Sequence, residues 1–348
     1  MIRFLVPLLA TTSMANAVEW QGVGEQTLAW QNNPHGITPA QSAIVAETSA
    51  RGRASIDDWR FDLSARQTIA DPNTVNAQVI ASKLQHQHST RQWRWQYWLS
   101  GHSANRINVD KYGEPERTKD AEGKTIDVSG AFNRWQLEVG SEFRTRISAN
   151  TQLFIEGEFD RRWYKEQYPI RDNRNFNLYQ TVAGLSHRLN DWRVVLSGEI
   201  THQRYVATSE DNNTQIELAL ETRHSLASSL RWQLQASIER EFDANRQATE
   251  RNWQLSNELT WRPTKALTLA SEHTLSQPQE KWQTSDNLEG WTGDVAHRIE
   301  LTVDYDLGQF YAANWTLFSE VDLADDKLDF PNQTFAEQEY LVGLEVNF

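Results

Sequence analysis

Cysteine is absent from the 348 residues, which excludes disulfides and thiolate metal sites and leaves packing and hydrogen bonds to hold the fold. Past the N-terminus, no stretch approaches the roughly 18 consecutive apolar residues that a membrane-spanning helix needs, so a helical membrane protein is excluded. What stays open is a soluble, peripheral or β-barrel architecture. Basic blocks are missing as well. With a formal charge of −13 and a pI near 5.2, the chain lacks the positive surface that phosphate backbones require, and nucleic acid is excluded as a partner. Phosphate loops and dinucleotide fingerprints are absent, so no cofactor is expected. No internal repeat of fixed period is found, which argues against a solenoid.

Tryptophan is what the chain has in excess: fifteen, against two methionines. At a mean hydropathy of −0.68, a soluble domain has little core in which to hide so many indoles. Membrane interfaces favour them, because one side of the ring is apolar and the other wet. The N-terminus adds a second clue. Arg3 precedes the apolar run Phe4, Leu5, Val6, Leu8 and Leu9, and Ala15-Asn16-Ala17 follows. That order predicts a secretory signal peptide over residues 1–17, with a mature protein starting at Val18.

From Asp57 onward, segments of ten to fourteen residues place apolar side chains at every second position. Trp59, Phe61, Leu63 and Ala65 alternate with Arg60, Asp62, Ser64 and Arg66; Leu230, Trp232, Leu234, Ala236 and Ile238 alternate with Arg231, Gln233, Gln235 and Glu239. Period two is the mark of strands. The connections alternate too. Short turns are expected at 89–90, 148–150, 190–191, 227–229, 263–265 and 308–309, and longer polar loops near 103–124, 164–175, 206–213, 243–250, 276–294 and 323–335. A β-sandwich also has alternating strands, but its strands are shorter and its loops do not alternate in length.

The last residues, YLVGLEVNF, set Tyr340, Val342, Leu344, Val346 and Phe348 on one face. A signal peptide, long alternating strands and a final strand ending in an aromatic residue resemble a Gram-negative outer-membrane β-barrel protein of porin-like kind. The resemblance covers nearly the whole mature chain without fixing a subfamily. It implies an all-β transmembrane antiparallel barrel of about 14 strands over residues 57–348. Pairing 42–53 with part of 18–31 raises the count to about 16; otherwise residues 18–56 form a leader or a plug. The resemblance further implies outer-membrane lipid and the barrel-assembly machinery as partners, with Tyr340, Val342, Leu344, Val346 and Phe348 as the assembly signal. A homo-oligomer stays open, since a lipid-facing aromatic row and a subunit interface look alike in sequence.

If the apolar row faces lipid, the polar row faces the lumen. Candidate lumen-lining residues are Arg60, Arg66, Arg94, Glu138, Glu142, Arg144, Glu156, Glu158, Glu199, Glu217, Glu221, Arg231, Glu258, Arg298, Glu300 and Asp304. They suit a passive channel for small hydrophilic solutes or ions, and their acidic excess hints at cation preference. The bland reading is that they only pair with one another. An accessory barrel serving surface-polymer or surface-protein export is the alternative, supported by the long loops. Enzymatic chemistry has the weakest basis. The stretches His86-Gln87-His88-Ser89 and His102-Ser103-Ala104-Asn105 lack the spacing of known barrel hydrolases, and His86 with His88 lacks a third metal ligand. Trp59, Trp192, Trp261 and Trp315 are expected in interfacial girdles, with Trp95 and Trp232 deeper in the lipid.

Overall fold

The computed structural model describes residues 18–31, 43–70, 75–106, 117–119, 125–127, 133–164, 175–206, 212–245, 247–283, 289–310, 313–326 and 335–348. The expected signal peptide lies outside them. The strands in chain order are β1 (Glu19–Gln31), β2 (Ala43–Ile56), β3 (Trp59–Ala70), β4 (Val75–Ser89), β5 (Trp93–Arg106), β6 (Arg117–Lys119), β7 (Thr125–Asp127), β8 (Arg134–Arg146), β9 (Thr151–Tyr164) and β10 (Phe176–Leu189). They continue as β11 (Trp192–Tyr205), β12 (Asn213–Ala227), β13 (Leu230–Phe242), β14 (Ala248–Trp261), β15 (Leu267–Gln283), β16 (Glu289–Thr292), β17 (Ala296–Phe310), β18 (Ala313–Asp326) and β19 (Phe335–Asn347).

Sixteen of these form a closed antiparallel barrel. Each long strand pairs with its neighbour in the chain, and β1 pairs with β19 to shut the circuit. The short β16 pairs with the upper end of β15, and β6 with β7 makes a separate hairpin. The strands β1 and β2 lie within residues 18–56, so the described part of that segment is wall. This settles the count at sixteen.

Closure explains why period two is so regular. In a barrel every strand has one concave and one convex face, and side chains crowd on the concave side. Buried polar residues fall on one set of alternate positions, among them Glu142, Asp160 and Asp322. The exposed large apolar residues fall on the other, such as Leu63, Leu99, Val139, Leu196, Leu218, Leu301 and Val342. A water-exposed belt of that composition has no stable place in solution, whereas it is the surface a bilayer covers.

Val18, Phe348 and the short turns share one end. Two of those turns have only two residues, Asp57-Asp58 and Asn190-Asp191, and their first residues take positive φ of 50°. Asp and Asn tolerate that conformation best after glycine, and it matches the twist of a tight hairpin. The expected turn at 308–309 is instead inside β17: Gly308, at φ 87°, forms a bulge where the ladder shifts between Asp306 and Gly308. Strands also run further toward the long-loop end than expected, since β5 reaches Arg106 and β15 reaches Gln283. The polar residues Ser276 to Gln283 read as loop because the outward row there is Gln277, Gln279 and Lys281 instead of apolar residues.

Aromatic side chains gather at both rims of the apolar belt. On β1, Trp20 and Trp30 mark the two edges, ten positions apart; at roughly 3.3 Å per residue and a tilt near 40° this spans about 25 Å, the height of a transmembrane belt. At the short-turn rim, Trp59, Trp192 and Trp261 hold the expected positions at strand ends. Trp95 and Trp232 belong to the same rim. Each is the third residue of its strand, and Trp192 packs edge-on to Trp232 with ring centroids 5.8 Å apart. Their expected depth in the lipid is thereby corrected.

Candidate functional site: the charged lumen

The ladders fix which side chains share the inner face. All sixteen expected lumen residues stand on it, because the ladders carry one parity around the barrel and each has the parity of the buried Glu142, Asp160, Ser256 and Asp322. The registers place thirteen of these residues in two walls, with Glu156 and Glu158 on β9 and Glu199 on β11 between them.

The first wall spans β2–β5 and β8. Its inner face carries Arg51, Arg53, Arg60, Arg66, Lys83, Arg94, Arg134, Arg144 and Arg146 against Glu47, Asp62, Glu138 and Glu142. The carboxylates are fewer but each is shared. Asp62 receives Arg53 Nε at 2.8 Å and Arg60 Nε at 2.6 Å. Glu142 receives Arg94 at 2.8 Å and also Arg144. Arg66 meets Glu47 at 3.2 Å. Bridging of one carboxylate by two guanidiniums follows from the strand geometry, which places one arginine two residues along and the other on the adjacent strand.

Trp98 anchors this wall from inside. It is 7% exposed and lies flat over Gly140, its registered partner on β8. A Cβ at position 140 would fall within the indole ring. The indole Nε1 donates to Glu138 Oε1 at 2.6 Å, and Lys83 Nζ sits 4.7 Å from the ring centre. Phe154 covers Gly184 and Phe318 covers Gly343 in the same manner.

The second wall spans β12–β19 and is acidic. Glu258, Glu272, Glu300, Asp322 and Glu339 are successive registered partners on β14, β15, β17, β18 and β19. Five acidic residues therefore stand side by side, with Cα atoms about 5 Å apart from one strand to the next. Among the described ion pairs, Arg298 alone reaches this row, at Asp322. The other contacts are hydroxyl donors: Thr260 to Glu258 at 2.8 Å, Thr274 to Glu272 at 3.2 Å, and Ser256 to Glu272. Because the strands tilt, a registered row climbs about 3 Å with each strand, so the five rise about 12 Å through the lumen. Shorter rows run parallel: Glu199, Glu217 and Glu239, then Glu241, Glu250 and Glu280 nearer the long loops. At the seam Glu25 faces Glu345.

Sequence reasoning missed Asp322, which borders the loop expected from 323, and it also missed Glu272 and Glu339 of the acidic row and Arg51 and Arg53 of the basic wall. Glu272 lies in β15, whose alternation is blurred by its polar outer face, and Glu339 lies close to the end of the loop expected at 323–335. Arg51 and Arg53 lie in the segment that could not be assigned to strands. Alternation could have found all five; register could not have been read, since it needs both strand ends.

The histidine stretches do not assemble catalytic groups. His86 is on the outer face, stacked on Tyr97 at 4.9 Å and edge-on to Trp59 at 4.5 Å. His102 points inward while Ser103, one residue on, points outward. No group of three or more metal-ligating side chains occurs among the described residues. On β19, Tyr340, Val342, Leu344 and Val346 share the outer face, and Phe348 exchanges backbone hydrogen bonds with Gly22 at 2.7 and 3.3 Å.

No protein-family model and no curated protein matches the chain. Solved structures do. The chain is similar to an anion-selective porin from Comamonas acidovorans, with a TM-score of 0.51 and 8% identity over 95% of this chain and 99% of that one. It is similar to a bacterial polysaccharide outer-membrane secretin, with a TM-score of 0.50 and 11% identity over 94% and 97%. It is also similar to CdiB from Acinetobacter baumannii, with a TM-score of 0.54 and 8% identity over 94% of this chain and 60% of that one. The fold is therefore that of the bacterial outer-membrane β-barrels. Identities this low carry the fold and no role.

Proposed function

We propose that the protein is an outer-membrane diffusion channel for small hydrophilic solutes with a preference for cations. The observation behind this reading is the five-carboxylate row from Glu258 to Glu339. Removing an uncompensated carboxylate from water costs several kcal/mol, and neighbouring like charges in a dry medium add to that. Only water and mobile counterions along the row make it tolerable, so the lumen beside it is hydrated. A barrel of sixteen strands is also in the size range that leaves an aqueous channel when loops do not fill it.

The sign follows from the two walls. Arginines of β2–β8 share the carboxylates of their own wall, and Glu156, Glu158 and Asp160 on the adjoining β9 offset the remainder of their charge locally. Carboxylates of β12–β19 outnumber the cations that reach them, Arg223 at Glu221 and Arg298 at Asp322, and leave a fixed negative charge along the path, which concentrates cations and repels anions.

The test is conductance of the purified full-length barrel in a planar bilayer under a KCl gradient. Steady conductance with a reversal potential showing K+ permeability above that of Cl− is expected. In the triple variant Glu258→Gln, Glu272→Gln, Glu300→Gln the permeability ratio should fall at least about twofold toward unity. A folded barrel that never conducts would sink the channel reading and favour export through a partner; conductance without cation preference would sink the sign alone.

A further inference from the structure

Charges at the outer face are rare, as a lipid-facing surface demands. On β9–β14 no carboxylate occupies an outward position, yet four arginines do: Arg161 on β9, Arg204 on β11, Arg240 on β13 and Arg251 on β14. For a chain of net charge −13 this is an inversion of sign confined to one arc. All four sit at the long-loop end, level with the aromatic rim. Arg161 is two residues from Trp163, and its guanidinium lies 5.1 Å from that ring centre; Arg251 is two residues from Trp253 and lies 4.6 Å over Trp291.

A cation at a membrane rim can simply extend into water. Three facts ask for more. Arg240 and Arg251 are registered partners on neighbouring strands, and Arg161 and Arg204 flank Asn177 from either side. Like charges so placed repel unless an anion lies between them. Two of the guanidiniums are stacked on rings, which fixes the plane; Arg251 Nε donates to Gln279 Oε1, and its terminal N–H groups are left for a planar or tetrahedral oxyanion. Lys281 on β15 continues the basic arc, whereas neutral residues, Trp30, Gln78, Asn105 and Trp135, occupy the comparable outward positions on β1, β4, β5 and β8.

We propose that this arc binds the phosphate-bearing headgroup of a lipid in the leaflet at the long-loop end, with Arg240 and Arg251 sharing one phosphate. The long loops mark the cell-exterior side in barrels of this class, so the lipid is one of the outer leaflet. The proposal is independent of whether the lumen conducts.

The experiment uses the full-length protein refolded in phosphatidylcholine vesicles containing bis-phosphorylated lipid A, extracted in mild detergent and weighed by native mass spectrometry. Vesicles with the dephosphorylated lipid are the comparison. Retention of the phosphorylated form should exceed that of the dephosphorylated form about tenfold, and Arg240→Gln/Arg251→Gln should abolish most of the difference. Arg161→Gln/Arg204→Gln should weaken it in the same direction. Folding of each variant is checked by heat-dependent gel mobility. Equal retention of the two lipids, or folded double variants that keep the full preference, would overturn the assignment.

Discussion

The wall from β2 through β8 and the wall from β14 through β19 have strands of similar length and the same alternation, yet only the first is also held from the lumen. The basic wall is bound internally, through carboxylates shared by two arginines and through Trp98 wedged against Gly140. Its outer face is modest on β2, where Ala46, Thr48, Ala50, Gly52 and Ala54 offer lipid little apolar area, and apolar on β3–β8, where Phe61, Leu63, Ile80, Leu99 and Val139 face outward. On the acidic wall the inner face is repulsive, and Leu255, Leu259, Leu301, Val303 and Leu317 supply the outer contact with lipid. Both walls thus meet the bilayer with apolar side chains, and the basic wall alone adds cohesion from the lumen. A wall that must keep its charges unpaired gives up internal stabilisation and depends on the membrane for it.

Substitutions can break this comparison. The greatest effect is expected on the lipid side of the acidic wall. Val303→Arg, in the belt between the rims, should cost about 2–4 kcal/mol, whereas Trp232→Arg at the rim should cost about 0–1 kcal/mol; urea titrations in lipid vesicles followed by tryptophan fluorescence measure both. If the two costs are equal, the assignment of depth is wrong. Next comes Gly140→Leu. It must drive Trp98 out of its place and release Glu138 and Lys83 with it, for a loss of about 1–3 kcal/mol on the same titration.

The sharpest contrast comes from a pair of isosteric changes. Asp62→Asn leaves Arg53 and Arg60 without their common carboxylate and should destabilise by about 1 kcal/mol, after allowing for the water that reaches both guanidiniums. Glu300→Gln removes one member of a repulsive row and should be neutral or stabilise by a few tenths to about 0.5 kcal/mol. If both variants lose stability equally, the acidic row is internally satisfied and the case for a hydrated lumen weakens.

Much of this was legible in the sequence because a barrel strand has only two environments, and a single residue step moves a side chain from one to the other. The fourteen strands after Asp57 and every expected inner-face charge follow from that parity. Strand β1 was harder. Its outer positions include Gly22, Gly24 and Gln26, so the apolar row that signals a strand is interrupted. Neither the acidic row nor the basic wall could be seen in advance. They are properties of neighbouring strands, set by register, and Glu258 and Glu339 are brought into one row by four intervening ladders.

The seam between β1 and β19 has a further consequence. Every other ladder of the wall joins strands that follow one another in the wall, so each can form as a hairpin soon after its second strand appears. Val23 to Gln31 must wait for Glu339 to Asn347. Contacts separated by so much chain are slow to form, and closure is expected to be the late, rate-limiting event. Until then β1 and β19 are two open edges, each able to pair with a foreign strand. A circular permutant opened at the Asp57-Asp58 turn would make the seam an ordinary hairpin and transfer the delay to the β2–β3 ladder, leaving the native barrel unchanged while reversing which edges are last to meet.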